Sequence, residues 1–422
     1  MSIDLSNVIA LALGSDDVLQ IQDAIGTVLW QKIIYYNVSI SAGSNGSVSV
    51  NGVTGNYSQS VPSGTVLTIE GTGNTGYNFD EWSDGNTDNP RTITVTGDLT
   101  LTAAFESAAE YFYVEDVSGS DNTLSITKTF FDAPDVEVFY STDQQNWSSM
   151  GTTSDTAITA TIPANGKLYL KATADTWSDD GTDWNYINAS GAHNVGGNIM
   201  SLLYGDNYTN QTTFPTGSAY NFYGLFSVMI GTSHLISAED LILPATTLAE
   251  SCYAYMFSEC TSLTTAPATL PATILAQSCY QGMFNECRAL TTAPALPATT
   301  LNSSCYQYMF QNCTSLTTAP VLPATTLTNY CYSNMFRGCT SLTTAPVLPV
   351  TTLGNGCYQG MFNGCSSLNN VTTYADNISA TNCTNNWLKN VSATGDFYNL
   401  GSATYTSGAN GIPSGWTEHT SL

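Results

Sequence analysis

A Met-Phe pair recurs along the C-terminal half of this chain at Met256, Met283, Met309, Met335 and Met361, in steps of 27, 26, 26 and 26 residues. A Leu-Pro-Ala-Thr-Thr-Leu segment, at most slightly varied, keeps pace with it from Leu243, Leu270, Leu296, Leu322 and Leu348. A fixed period in the twenties describes units that bury their apolar side only against their neighbours, which is a solenoid. Within one unit Cys331, Met335 and Cys339 stand at i, i+4 and i+8, and Tyr332 and Phe336 at i and i+4. This spacing predicts a short helix with all five side chains inward, ending at Gly338. The following Leu342-Thr343-Thr344-Ala345-Pro346-Val347-Leu348-Pro349 predicts a short strand and then an extended arc, because it is β-branched and twice interrupted by proline.

Ten of the 11 cysteines fall in pairs eight residues apart, such as Cys252 with Cys260 and Cys331 with Cys339. If a helix joins each pair, the Cα atoms lie roughly 12 Å apart, beyond the ~7 Å reach of a disulfide. Structural zinc sites favour closer cysteine spacing, and no histidine accompanies these pairs. Buried, reduced cysteine ladders are the expectation, with disulfides between repeats as the alternative.

At 422 residues the chain exceeds one ordinary core, so several domains are expected. Residues 1–34 read as a leader with a small hairpin around Gly26, either a β cap or a docking segment. Residues 35–107 alternate in period two, as in Thr65-Val66-Leu67-Thr68-Ile69, which marks a small antiparallel β domain. Residues 108–193 read as a β-sandwich-like domain, with Val136-Glu137-Val138-Phe139-Tyr140 and Lys167-Leu168-Tyr169-Leu170-Lys171 as strands and Asn165-Gly166 as a turn. Its Asp175, Asp179, Asp180 and Asp183 miss the calcium-loop spacing and read as a solvated loop. Residues 194–242 and 374–422 are the expected caps of the solenoid, whose five repeats occupy 243–373. The fold class is therefore mainly β, multi-domain, with one short strand and one short helix per repeat.

The charge bounds the partners. With 33 acidic against 8 basic residues the formal net charge is -25, so nucleic acid and anionic membrane surfaces are excluded as expected partners. The three histidines, His193, His234 and His419, stand in no nucleophile or zinc motif, and Glu250, Glu259 and Glu286 are the only carboxylates between Leu243 and Asn370. No enzyme, cofactor or metal is expected. The start of the chain shows neither a secretory signal nor a membrane-spanning run, so a protein working outside the cell is expected either to have lost a signal or to leave by a route needing none, such as assembly into a virus particle.

Comparison between units singles out two variable positions. Tyr255, Gly282, Tyr308, Asn334 and Gly360 share one, and Glu259, Glu286, Asn312, Gly338 and Gly364 the other. Both lie off the Cys/Met/Phe rows and are expected to face solvent. Tyr255, Tyr308, Tyr330, Asn334 and Arg337 are the candidate ligand-binding residues, offering aromatic platforms and neutral hydrogen bonds to a sugar or protein surface.

Two stretches resemble known families. The unit written CYxxMFxxCTSLTTAPxLPATTL resembles the BspA-like leucine-rich repeat surface proteins of gut Bacteroidetes and their phages, over about residues 194–418. Tyr77-Asn78-Phe79-Asp80-Glu81-Trp82-Ser83-Asp84-Gly85, followed by Leu99-Thr100-Leu101-Thr102-Ala103-Ala104-Phe105, resembles the internalin B-repeat-like module, usually a spacer in surface proteins. The resemblance implies an adhesive role with no catalytic motif. The leading expectation is a phage virion fibre or receptor-binding component at the virion surface. It would bind a host cell-surface glycan or protein, and other virion proteins through residues 1–34. A bacterial cell-surface adhesin and a virion decoration protein are the alternatives. A homo-oligomer is compatible with the sequence, which has no heptad run to specify one.

Overall fold

The computed structural model describes residues 20–22, 28–31, 33–44, 46–73, 77–107, 110–129, 132–178, 181–215, 217–227 and 233–422. The chain forms two compact units, Met1–Glu110 and Tyr111–Leu422. In the first, Gln20–Gln22 and Val28–Gln31 pair antiparallel, as the leader hairpin requires, while its turn and the rest of the expected docking segment lie outside the described residues. Beyond it, two four-stranded sheets enclose Val38, Ile40, Val48, Val50, Leu67, Ile69, Trp82 and Leu101. Alternation does what it predicts here. Along Val66–Gly73 the residues Leu67, Ile69 and Gly71 are buried and Val66, Thr68, Glu70 and Thr72 exposed. One pairing departs from an all-antiparallel domain, since Leu99–Ser107 runs parallel to Tyr35–Ala42.

The second unit begins as two sheets. The larger orders Ser148–Thr152, Glu137–Ser141, Lys167–Ala172, Tyr113–Asp116, His193–Asn198 and Leu235–Ser237. The smaller orders Ile158–Ile162, Asn122–Lys128 and Asn185–Ala189. His193–Asn198 is the junction, because it accepts both Leu235–Ser237 and Leu241–Ile242 as parallel neighbours. Parallel bridges with the repeat spacing then continue through Ser237 to Thr265, Thr292 to Thr318 and Thr344 to Asn370. The stack ends in a parallel sheet of Asn370–Thr373, Gly395–Asn399 and Trp416–His419. A single apolar core runs from Phe112 to Trp416, so the β-sandwich-like segment and the repeats share one compact unit.

The expected helix in each repeat is not formed. Among the described residues the helical elements are Ser201–Tyr204 and Gly205–Asn207, both ahead of the repeats. The row from Ser251 to Cys260 is instead a chain of linked turns. N–H groups of Cys252, Ala254, Met256, Ser258 and Cys260 donate three residues back within the coil. Those of Ser251, Tyr253, Tyr255, Phe257 and Glu259 donate to Gln277, Cys279, Gln281, Met283 and Asn285 of the next coil. An α-helix would send its N–H groups to its own carbonyls and leave none for a neighbour. Every fourth residue is left-handed, as at Ser251 (φ 50°), Tyr255 (φ 54°) and Glu259 (φ 63°). The expected strand is also reduced, to isolated bridges, since each arc carries prolines without an N–H.

The inward rows nevertheless fall where the four-residue spacing puts them. Phe222, Tyr253, Tyr280, Tyr306, Tyr332, Tyr358 and Trp387 stack with centroids 5.7–6.3 Å apart. Phe112, Phe226, Phe257, Phe284, Phe310, Phe336 and Phe362 form a second column at 5.2–5.8 Å. Its first member belongs to the β-sandwich-like segment, and the first and last members of the Tyr column lie outside the five repeats legible in sequence. Coils of the same form therefore extend into both expected caps.

All eleven cysteines are buried and unpaired. Cys287, Cys313 and Cys339 direct their thiols at the carbonyls of Phe257, Phe284 and Phe310 in the preceding coil, each at 3.1 Å. A cysteine suits this place because it is a small apolar filler with one weak donor. Burial pushes the thiols of Cys260 and Cys365 up to about 12. In the native protein no thiol is expected to react with Ellman's reagent at pH 8, and all 11 should react after unfolding in guanidinium. Rapid labelling of the native chain would contradict this packing.

His193 sits at the junction strand, 3% exposed, with Nδ1 donating to the Gly191 carbonyl at 2.9 Å. Burial pushes its pKa down to about 4, and the neighbouring His234 adds to the shift. Between that value and an unfolded histidine's ~6.5, the unfolded chain binds a proton that the folded chain refuses. His193 therefore leaves stability intact above about pH 6.5 and removes it as pH falls toward 4, about 3 kcal/mol in total. Urea midpoints measured at pH 7 and pH 4.5 should fall less in His193→Gln than in the parent.

Candidate ligand-binding face

The left-handed positions form three columns along the stack. The first runs Tyr220, Ser251, Ser278, Ser304, Tyr330, Gly356 and Asn382. The second runs Gly224, Tyr255, Gly282, Tyr308, Asn334, Gly360 and Asn386. The third holds Glu259, Glu286, Asn312, Gly338, Gly364 and Asn390. The two variable positions found by comparing repeats are the second and third columns. Their variation follows backbone geometry as well as exposure, because glycine and asparagine enter this conformation most readily. A signal for it was present in Gly356, Gly360 and Gly364 and again in Asn382, Asn386 and Asn390, each set spaced by four.

The expectation that these positions all face solvent is corrected at several of them. Gly282 and Gly360 are buried, and Asn334 is only 8% exposed. Asn334 donates from Nδ2 to Ser333 Oγ at 3.0 Å and roofs Gly360, where a Cβ would stand 2.3 Å from Oδ1. It supports the stack rather than presenting a hydrogen bond outward. Tyr255 is half-buried. Its ring lies over Gly282, where a Cβ would meet Cε1 at 2.4 Å, and its hydroxyl accepts from Gln281 Nε2 at 3.3 Å. Burial, reinforced by the neighbouring Tyr308 phenol, holds the Tyr255 hydroxyl protonated above its ordinary range.

Tyr308 is half-buried and stands two coils beyond Tyr255 in the same column. Tyr330 belongs to the first column, is 40% exposed and lies over Gly356. Arg337 is exposed, with no ion-pair partner among the described residues. The fold therefore joins Tyr255 and Tyr308, sets Tyr330 and Arg337 farther along the stack, and withdraws Asn334. Sequence comparison missed the extension of this surface upstream. Tyr223 lies 5.5 Å from Tyr255 and 5.2 Å from Trp184, which in turn covers Gly224. Burial and the neighbouring Tyr255 and Tyr220 push the Tyr223 phenol up to about 12. Near the same face the Glu286 carboxylate is held by Arg288 at 2.7 Å and by Asn312. Of the acidic loop read as solvated, Asp179 and Asp180 lie outside the described residues.

Residues 234–361 match the BspA type leucine rich repeat region, in six copies. This part of the chain is similar to BspA-type leucine-rich repeat regions. Residues 36–109 match the divergent InlB B-repeat domain, which coincides with the two small sheets of the first unit. No curated protein and no solved structure gives a match. The buried rows from Cys252 to Met361 fall within the matched residues. The pairing of a BspA-type region with a B-repeat domain fits a surface adhesin-like protein.

Proposed function

We propose that this chain is a non-enzymatic adhesive display protein whose BspA-type stack recognises a cell-surface glycan or protein. Its finer form is a phage virion fibre or receptor-binding component; a bacterial cell-surface adhesin would use the same face. The observation that carries the adhesive reading is that Tyr255, Tyr308 and Tyr330 are all left-handed, at φ 54°, 60° and 57°. A bulky residue in that conformation is an outlier and costs about 1–2 kcal/mol. Other coils place Gly or Asn at the same positions, so the stack does not require tyrosine there. Strain kept where a relaxed residue would serve points to recognition.

The test separates recognition from folding. In Tyr308→Asn, which copies the residue already present one coil later, stability should hold or rise, while binding of the full chain to intact host-range bacterial cells should fall at least tenfold. Unchanged binding in both Tyr308→Asn and Tyr330→Asn would remove this face from the account. Immunogold labelling of purified virions and of bacterial cells distinguishes the virion form from the bacterial one.

A further inference from the structure

A cavity opens between the β-sandwich-like segment and the residues that follow it, lined by none of the tyrosines of the stack. The cavity, of about 320 Å³, is lined by Phe139, Trp147, Lys171, Thr173 and Asp206. These residues come from four separate stretches of chain and meet only in the fold. Lys171 Nζ donates to Asp206 Oδ1 at 2.6 Å and sits 4.3 Å from the centre of the Trp147 ring. Tyr111 packs against Trp147 at 4.7 Å and donates its hydroxyl to the same Asp206 oxygen at 2.8 Å. The Lys171 side chain is 14% exposed and that of Asp206 64%.

The arrangement selects by chemistry. Asp206 Oδ1 takes both donors and leaves Oδ2 without a hydrogen-bond partner among the described residues, and Lys171 has two further N–H donors. The cavity therefore offers an acceptor and donors side by side next to an aromatic plane. A cation is disfavoured, because the cationic place over Trp147 is already filled by Lys171. An anion is disfavoured, because Asp206 neutralises Lys171 on a chain of net charge -25. A neutral vicinal diol satisfies both sides, one hydroxyl donating to Asp206 and its neighbour accepting from Lys171, while Trp147 and Phe139 give the cavity its apolar wall. The volume is at the lower end of the ~300–1,000 Å³ of small-molecule sites, which suits one or two sugar rings.

We infer that this cavity is a binding site for a neutral pyranose, with the Lys171–Asp206 pair reading adjacent hydroxyls and Trp147 holding Lys171 in place while lining the cavity. The site stands on its own geometry, independently of the recognition face on the stack. The test is saturation-transfer NMR of the full chain with the methyl glycosides of glucose, galactose, mannose and N-acetylglucosamine, with glucuronate and glucosamine as charged controls. At least one neutral glycoside should bind in preference to both controls. Its affinity should fall at least tenfold in Trp147→Ala and in Asp206→Ala, and stay within twofold in Val321→Ala, a change at an exposed position of the stack. Circular dichroism confirms that each variant is folded, and Lys171→Met replaces any that is not, with the same tenfold loss expected. The inference is overturned if no neutral glycoside binds the parent at millimolar concentration. It is equally overturned if the charged controls bind as well, or if binding survives in the folded cavity variants.

Discussion

A fragment beginning at residue 194 is expected to be unfolded or molten in isolation, whereas one beginning at residue 111 should fold with the full chain's cooperativity. The reason lies in the shared core. Phe112 opens the phenylalanine column by packing on Phe226 at 5.8 Å, and the Trp177 indole donates to the Leu202 carbonyl at 2.8 Å. Cutting at 194 strips off Tyr113–Asp116, Lys167–Ala172 and His193 itself, leaving the rest of that strand, residues 194–198, unpaired on one side. It also exposes the apolar face of Met200, Leu202, Leu203, Phe222 and Leu225. Repeat stacks need a closed end to stay soluble, and this segment supplies it. Far- and near-UV circular dichroism with urea titration of the two fragments makes the comparison. A cooperative transition in the shorter fragment would show that the stack closes its own end.

The second large effect is expected at Phe310, which is fully buried and flanked at 5.7 Å by both Phe284 and Phe336. Phe310→Ala should lower stability by about 3–5 kcal/mol, since the side chain is lost and the coils cannot close over the void. The position makes the loss more than additive in appearance. A stack is stabilised by contacts between nearest neighbours, so weakening one central interface lets its two sides unfold separately. The urea transition should therefore split in two, with the coils beyond Phe336 melting first. Phe310→Leu, which keeps most of the volume, should retain a single transition at a modestly lower midpoint. A single transition of unchanged midpoint in Phe310→Ala would contradict the column as a source of cohesion.

The sequence by itself determined the period, the buried rows and the alternating sheets of residues 35–107. Cys331, Tyr332, Met335, Phe336 and Cys339 are all buried as their spacing requires, and Leu67 and Ile69 point inward as theirs does. Burial follows from which side chains prefer to leave water, and that preference is carried by each residue and its local spacing. The destination of the backbone hydrogen bonds was decided by tertiary structure. An i, i+4, i+8 pattern is shared by a helix and by a turn that repeats every four residues, so the apolar pattern cannot separate them. What separates them is the neighbouring coil, which accepts alternate N–H groups and so favours the turn. Tertiary structure likewise took Asn334 out of the candidate face, because the space over Gly360 is created only when two coils stack. It also assembled Trp147, Lys171 and Asp206, which no local spacing connects, because pairing of Glu137–Ser141 with Lys167–Ala172 and closure of the chain back at Gly205–Asn207 bring them together.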